Sequence, residues 1–212
     1  MTPHPRAGLS VQFRDGFRRL AAATSFPIAM LSSLHAVAHP HVWIDYAATA
    51  QLNERKLVAI REEWVFVKQF PFSLVGDFSD APASGPMDPK HTAIIYKQAF
   101  SSLRGANYFT HVFVDGKPVA VGDARDFAVS IEDKHIVYRF LVPLSQPVDA
   151  KAAKVVMGIW DDTFFVDFES RNAHPLEISG NGARVCTSSS FEDHDHPIYG
   201  GLVTPTASRI SC

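Results

Sequence analysis

From His41 to Leu52 apolar and polar residues alternate with a period of two, the repeat of a half-buried strand. His39, His41, Trp43, Asp45 and Ala47 fall on one face, and Val42, Ile44 and Tyr46 on the other. Asn53-Glu54 marks a turn and Lys56 to Val67 predicts a second strand, so the pattern opens on a hairpin. Trp64, Phe66, Phe70 and Phe72 then form an aromatic cluster, read as core. Val75 to Lys90 carries Gly76, Pro82, Gly85, Pro86 and Pro89 and predicts an exposed loop. Asp88-Pro89 supplies a capping carboxylate and a first-turn proline. Ile94, Ile95, Ala99 and Leu103 make an apolar stripe and Gly105 a stop, so one helix is expected at about 89–104.

The chain beyond reads as β. Tyr108–Val114 and Lys117–Val121 flank Asp115-Gly116, a strong hairpin turn. Phe127–Ile131 and Ile136–Val142 flank Glu132 to His135, and Pro143 to Lys154 reads as a loop. Val155–Trp160 and Phe164–Phe168 flank Asp161-Asp162-Thr163, which places these acids at a hairpin tip. A last strand runs up to about Val185, and 187–212, rich in Ser, Thr, Gly and Pro, reads as a polar, poorly ordered tail. Short strands separated by turn signals predict an antiparallel, immunoglobulin-like β-sandwich over 39–186, with the one helix packed against it.

Composition adds a compartment. Arg6, Arg14, Arg18 and Arg19 precede a mostly apolar run from Leu20 to Leu34, and Ala36-Val37-Ala38 completes the pattern of a cleaved export signal over 1–38. Apart from that segment, no apolar run approaches the roughly 20 residues of a membrane helix, so the processed protein is expected not to span a membrane. Cleavage takes four basic residues and one acidic residue from a chain of net charge −2, leaving −5. With no basic excess, nucleic acid is a poor partner. A periplasmic location follows as the expectation, and there Cys186 and Cys212 either pair or stay separate thiols.

Cleavage after Ala38 would leave His39 at the amino terminus, with a free α-amine and the imidazoles of His39 and His41 within three residues. On a strand, residues i and i+2 share a face about 6.5–7 Å apart, so both rings can reach one ion. Pro40 has no amide hydrogen, which blocks square-planar binding through backbone amides. Asp45 lies about 13 Å further along a regular strand, too far to join the ion. Completing ligands must come from another strand. His91, His111, His174, Asp161 and Asp162 are the candidates, and His111 and Asp161 are chosen. His111 shares its face with Phe109 and Phe113, where a core histidine is the plainer reading, and hairpin acids commonly serve as turn formers. His194 and His196 could collect metal in the tail, although a solvated polar end reads more simply. Nitrogen-rich ligation suits zinc, nickel, cobalt or copper and disfavours calcium and magnesium.

The motif HPHVWID over His39–Asp45, the strand holding Trp64, Tyr108-Phe109-Thr110 before Asp115-Gly116, Leu141-Val142-Pro143-Leu144, Trp160-Asp161 to Phe164-Phe165, and Cys186 together resemble the domain-of-unknown-function family 1007. The resemblance implies a secreted periplasmic component of an uncharacterised ABC-type transport system, associated with nickel- and cobalt-type permeases. The chain departs from the family pattern at Val67, where an acid usually follows the phenylalanine, and at Asp161-Asp162, where Asp-Pro is usual. The expected function is a metal-binding accessory protein, not an enzyme, that captures or buffers a divalent ion for an inner-membrane permease or ABC-type importer. Two alternatives stay open: a metal-free β-sandwich interaction module, and a copper enzyme whose amine and first histidine form a brace.

Overall fold

The computed structural model of the chain describes residues 40–212 except 69 and 71, and the backbone but not the side chains of 73 and 74. The export signal expected over 1–38 and the ligand expected at His39 lie outside the described residues.

Strands β1 (Val42–Asn53) and β2 (Lys56–Phe66) pair antiparallel across a two-residue turn in which Glu54 takes φ +59°. A short helix, α1 (Phe72–Val75), and a two-residue strand, β3 (Gly85–Pro86), lead to α2 (Pro89–Ile95). Asp88 caps α2 by accepting the His91 amide proton at 3.1 Å, as its position before a proline predicts. The expected helix does not stay regular. It widens to a π-helical turn at Tyr96–Phe100 and tightens to 3-10 turns within Ser101–Phe109, interrupted by non-helical backbone at Ala106, Asn107 and Tyr108. This swings Ile95 and Phe100 fully inward, and the Phe100 ring stacks on Phe127 at 4.1 Å. Burial of each such ring contributes about 1.5–3 kcal/mol.

Next come β4 (Thr110–Val114) and β5 (Lys117–Pro118), joined by Asp115-Gly116 with both residues at positive φ, then β6 (Arg125–Glu132) and β7 (His135–Asp149). They are followed by β8 (Val155–Ile159), β9 (Val166–Ser170), β10 (Leu176–Gly180), β11 (Thr187–Glu192) and β12 (Thr206–Ser211). Among the described residues, two sheets form. One has seven strands in the order β10-β1-β2-β7-β6-β3, with β9 also on β1; the other has five, in the order β11-β12-β8-β4-β5. The fold is a mainly antiparallel β-sandwich. Ile44, Tyr46, Ala48, Ala50 and Leu52 of β1 point into its core, the period-two face of the sequence.

Three sequence expectations are corrected. Pro143–Lys154 is not a loop from its start: β7 continues to Asp149, because Pro143 lies where the register with β2 breaks and no ladder donor is needed. The strands around Asp161-Asp162-Thr163 do not form a hairpin, since β8 belongs to the five-stranded sheet and β9 to the seven-stranded one. Pairing is mainly antiparallel as expected, and within it β9 and β10 lie end to end along β1 and run parallel to it. Finally, 187–212 is no disordered tail. β12 sits between β11 and β8, and buries Ala207, Ser208 and Ile210. Small and hydroxylated residues hide this burial from a composition argument, yet they suit a tightly covered strand.

Cys186 and Cys212 form a disulfide that ties the end of β12 to the start of β11. Cys212→Ser is expected to lower stability by about 2–4 kcal/mol. Thermal unfolding with and without reductant checks this: reductant should lower the wild-type midpoint and leave the variant's unchanged.

Candidate functional site

β8 leaves one sheet at Ile159 and β9 enters the other at Val166, so residues 160–165 cross between the sheets. Asp161 builds this crossover. It is 6% exposed, and its Oδ1 accepts from Thr163 N at 2.9 Å and Thr163 Oγ1 at 2.8 Å. Its Oδ2 accepts from Val166 N at 3.0 Å, the first amide of β9, and its carbonyl accepts from Phe164 N at 2.9 Å. Asp162 accepts from Trp160 Nε1 at 3.1 Å, and its carbonyl accepts from Tyr199 N at 2.9 Å. Both acids therefore organise the chain, and an ion at Asp161 would compete with three protein donors.

The crossover also holds two of the predicted histidines. His41 donates its backbone N–H to the Phe165 carbonyl at 2.9 Å, and its ring stacks on Phe165 with centroids 4.8 Å apart. His111 lies on the outer face of β4. Its Nε2 is 3.0 Å from the Trp160 carbonyl, and its ring stacks on the Trp160 indole at 4.2 Å. A carbonyl can only accept, so the proton sits on Nε2 and a neutral His111 keeps its lone pair on Nδ1. Burial pushes the His111 pKa below the ordinary imidazole value, which favours that neutral form.

The remaining candidates lie elsewhere. Asp45 stays within β1, opposite Val65 and Glu169. His91 is clamped beside its own helix cap, with Nδ1 2.5 Å from Asp88 Oδ2 and Nε2 3.0 Å from Asp80 Oδ1. The Asp88 carboxylate raises the His91 pKa, and both ring nitrogens are already engaged by carboxylate oxygens, so this ring is a poor ligand. His174 is exposed. His196 stacks on Phe113 at 3.9 Å with Nδ1 2.9 Å from Asp193 Oδ2, whereas His194 is exposed, 3.5 Å from Glu192. Among the described residues, no group of three or more His, Cys, Asp or Glu is placed to hold an ion. No helix among them is long and apolar enough to cross a membrane.

A family model described as a protein of unknown function, DUF1007, matches residues 24–198. The chain belongs to this family. It is also similar to an uncharacterised 15.5 kDa protein from the trpE 3′ region of Spirochaeta aurantia, 31% identical over 136 residues, which cover 62% of this chain and 94% of that protein. Among solved structures it is similar to acetylcholine-binding protein type 1 of Biomphalaria glabrata, at 13% identity and a TM-score of 0.35, over 80% of this chain and 82% of that one.

This DUF1007 chain has a buried acid that the sequence argument passed over. Glu62 alternates with Ile60, Trp64 and Phe66 on the inner face of β2 and is 1% exposed. A carboxyl in the middle of an apolar stripe was the available signal. Trp64 Nε1 donates to its Oε2 at 2.8 Å, and Thr110 Oγ1 of the opposite sheet lies 2.6 Å from its Oε1 and 3.3 Å from the Tyr108 carbonyl. A neutral Glu62 donates to Thr110, whose hydroxyl then donates to the Tyr108 carbonyl; a carboxylate instead accepts a hydrogen bond from the Thr110 hydroxyl. Burial pushes the Glu62 carboxyl up to about 8, against the pull of the two hydrogen bonds. Burial, and the Glu62 charge after it, push Tyr46 up to about 12.

The folded protein thus binds the Glu62 proton more tightly than the unfolded chain does. Its stabilising contribution is complete below pH ~4.5 and is lost as pH rises toward ~8. Glu62→Gln keeps a neutral acceptor and donor in place. Denaturant unfolding should therefore find the variant close to wild type at pH ~5 and more stable by on the order of a few kcal/mol at pH ~9. Equal pH slopes for the two proteins would contradict a raised pKa.

Proposed function

We propose that the processed protein is a periplasmic metal-binding accessory protein that captures a divalent transition metal and hands it to an inner-membrane importer. The observation that carries this reading is the attachment of His41 and His111 to opposite ends of one inter-sheet crossover, at Phe165 and at Trp160. His41 brings with it the segment that ends in His39. On this reading the ion is cargo. The His39 amine and ring and the His41 ring supply nitrogen donors, and His111 Nδ1 is the neutral imidazole available for the set. Asp161 has the supporting role of shaping the crossover, since its oxygens are already taken. Nitrogen donors of this kind select zinc, nickel, cobalt or copper.

Protein prepared from the periplasm without a tag should carry about one equivalent of metal, and calorimetric titration should show affinity falling as pH drops through ~6.5, where imidazoles take up protons. His41→Ala and one extra residue ahead of His39 should each weaken binding by about tenfold or more, since each removes one of four nitrogen donors. Metal-free protein from the periplasm, or pH-independent binding, would refute the reading.

A further inference from the structure

Strand β9 has a free edge. Among the described residues it pairs with β1 alone, so one side of its backbone is bonded and the other is not. The parallel register fixes which groups lie on which side. Phe165 O accepts from Val42 N at 3.2 Å, and Tyr46 O accepts from Arg171 N at 2.9 Å. Phe165, Asp167, Glu169 and Arg171 therefore turn their backbone groups toward β1, and Val166, Phe168 and Ser170 turn theirs the other way. Val166 N is taken by Asp161 Oδ2. The Val166 and Phe168 carbonyls and the Phe168 and Ser170 amides have no hydrogen-bond partner among the described residues.

This edge opens on a cavity of about 400 Å³, within the usual range of binding clefts. All of β9 lines it, together with Phe164 of the crossover and Val203, Thr204 and Pro205 of the segment that leads into β12. The two faces of β9 differ in chemistry. Val166 and Phe168 share the inner face with Val42 and Ile44, whereas Asp167 and Glu169 lie on the outer face beside Trp43 and Asp45. None of Asp45, Asp167 and Glu169 has an ion pair among the described residues. No basic side chain lines the cavity, and the nearby Lys68 sits over the Trp43 ring, 3.3 Å from its centre. Burial, and Glu169 after it, raise the Asp167 pKa, as expected of a carboxylate without a cation of its own.

An unpaired strand edge is a template for another strand, and main-chain hydrogen bonds supply the affinity of such additions. The acids decide which strand fits. A second copy of β9 would bring its own Asp167 and Glu169 against these, and like charges on facing strands are destabilising. A strand with basic residues on the outer face is attracted instead.

We propose that β9 takes up an extended segment of a partner protein as an added strand, in which apolar residues alternate with lysine or arginine. The partner backbone pairs with the free groups of Val166, Phe168 and Ser170. Its apolar side chains enter the cavity, and its basic side chains lie against Asp167 and Glu169. The surface is separate from the histidines and does not depend on metal binding.

The full chain is titrated with a fluorescent heptapeptide alternating valine with lysine, and anisotropy reads binding. The counterpart alternating valine with glutamate should bind about tenfold more weakly or worse. Methylating one alternate set of backbone nitrogens in the lysine peptide should weaken binding by about tenfold, and methylating the other set should cost less, because only one edge of an added strand faces β9. Asp167→Lys combined with Glu169→Lys should reverse the preference between the two peptides. Ser170→Pro removes a free amide without touching the pairing with β1, and should weaken the lysine peptide by about 2- to 10-fold. A thermal melt shows whether that variant is folded, and if it is not, the charge reversal decides. Equal binding of the lysine and glutamate peptides, equal effects of the two methylation patterns, or an unchanged preference after charge reversal overturns the proposal. So does sedimentation that finds a dimer which the lysine peptide dissociates, since the edge would then belong to a second copy.

Discussion

Glu62 fastens the two sheets where neither has another described side-chain hydrogen bond to offer so deep in the core. A carboxylate at 1% exposure would be costly, and burial answers by keeping the group protonated rather than by pairing it with a cation. In that form it joins β2 to β4 through Thr110 and fixes the Trp64 indole. The indole in turn meets Phe140 of β7 edge-on at 4.9 Å, Phe168 of β9 at 5.1 Å and Phe109 at 6.1 Å. One neutral acid therefore orients the ring on which three elements converge. Replacing it with an apolar residue would leave Trp64 Nε1 and Thr110 Oγ1 to find other partners in the core, which is the more expensive half of losing a buried hydrogen bond.

The crossover at 160–165 depends on a second buried acid that works in the opposite way. Asp161 acts as an acceptor, gathering two backbone amides and a hydroxyl around its carboxyl group. The amide of Val166 begins β9, so this carboxyl also sets where β9 meets Val42 of β1. His41 immediately precedes Val42, and Trp160, which receives His111, immediately precedes Asp161. The relation between the two histidines is thus fixed by a structural carboxylate that lies between them in the chain of contacts. Asp161, expected as a ligand, spends its carboxyl oxygens on three hydrogen bonds that shape the crossover.

Period-two alternation made most of the strands legible, as at Ile44, Tyr46 and Ala48, and local capping chemistry made the Asp88 start of α2 legible. Both signals are carried by neighbours in sequence. The parallel placement of β9 and β10 on β1 is not, because it depends on residues more than a hundred positions apart, and nothing near Asp161 distinguishes a turn that closes a hairpin from one that changes sheets. The hidden strand β12 fails for another reason. Ala207, Ser208 and Ile210 are buried, but only Ile210 is a strong apolar signal, so the run reads as a tail. Of the candidate site, the histidines were visible as residue types. What each ring nitrogen touches was not, since it is set by Trp160, Asp80, Asp88 and Asp193.

The misread C-terminal segment bears directly on the chemistry of His111. The outer face of the five-stranded sheet is covered by Ile198 and Ala207, which pack with Phe113, Val156 and Trp160 into a second apolar cluster, while His196 stacks on Phe113. His111 lies beside this cluster, with its ring stacked on the Trp160 indole at 4.2 Å. Burial lowers its pKa, and the Trp160 carbonyl accepts the proton on Nε2. Metal ligation requires a neutral imidazole with a defined tautomer. The Cys186–Cys212 disulfide ties 187–212 to the sandwich, so the segment carrying Ile198 and His196 is held against the cluster that contains Trp160, the ring on which His111 stacks.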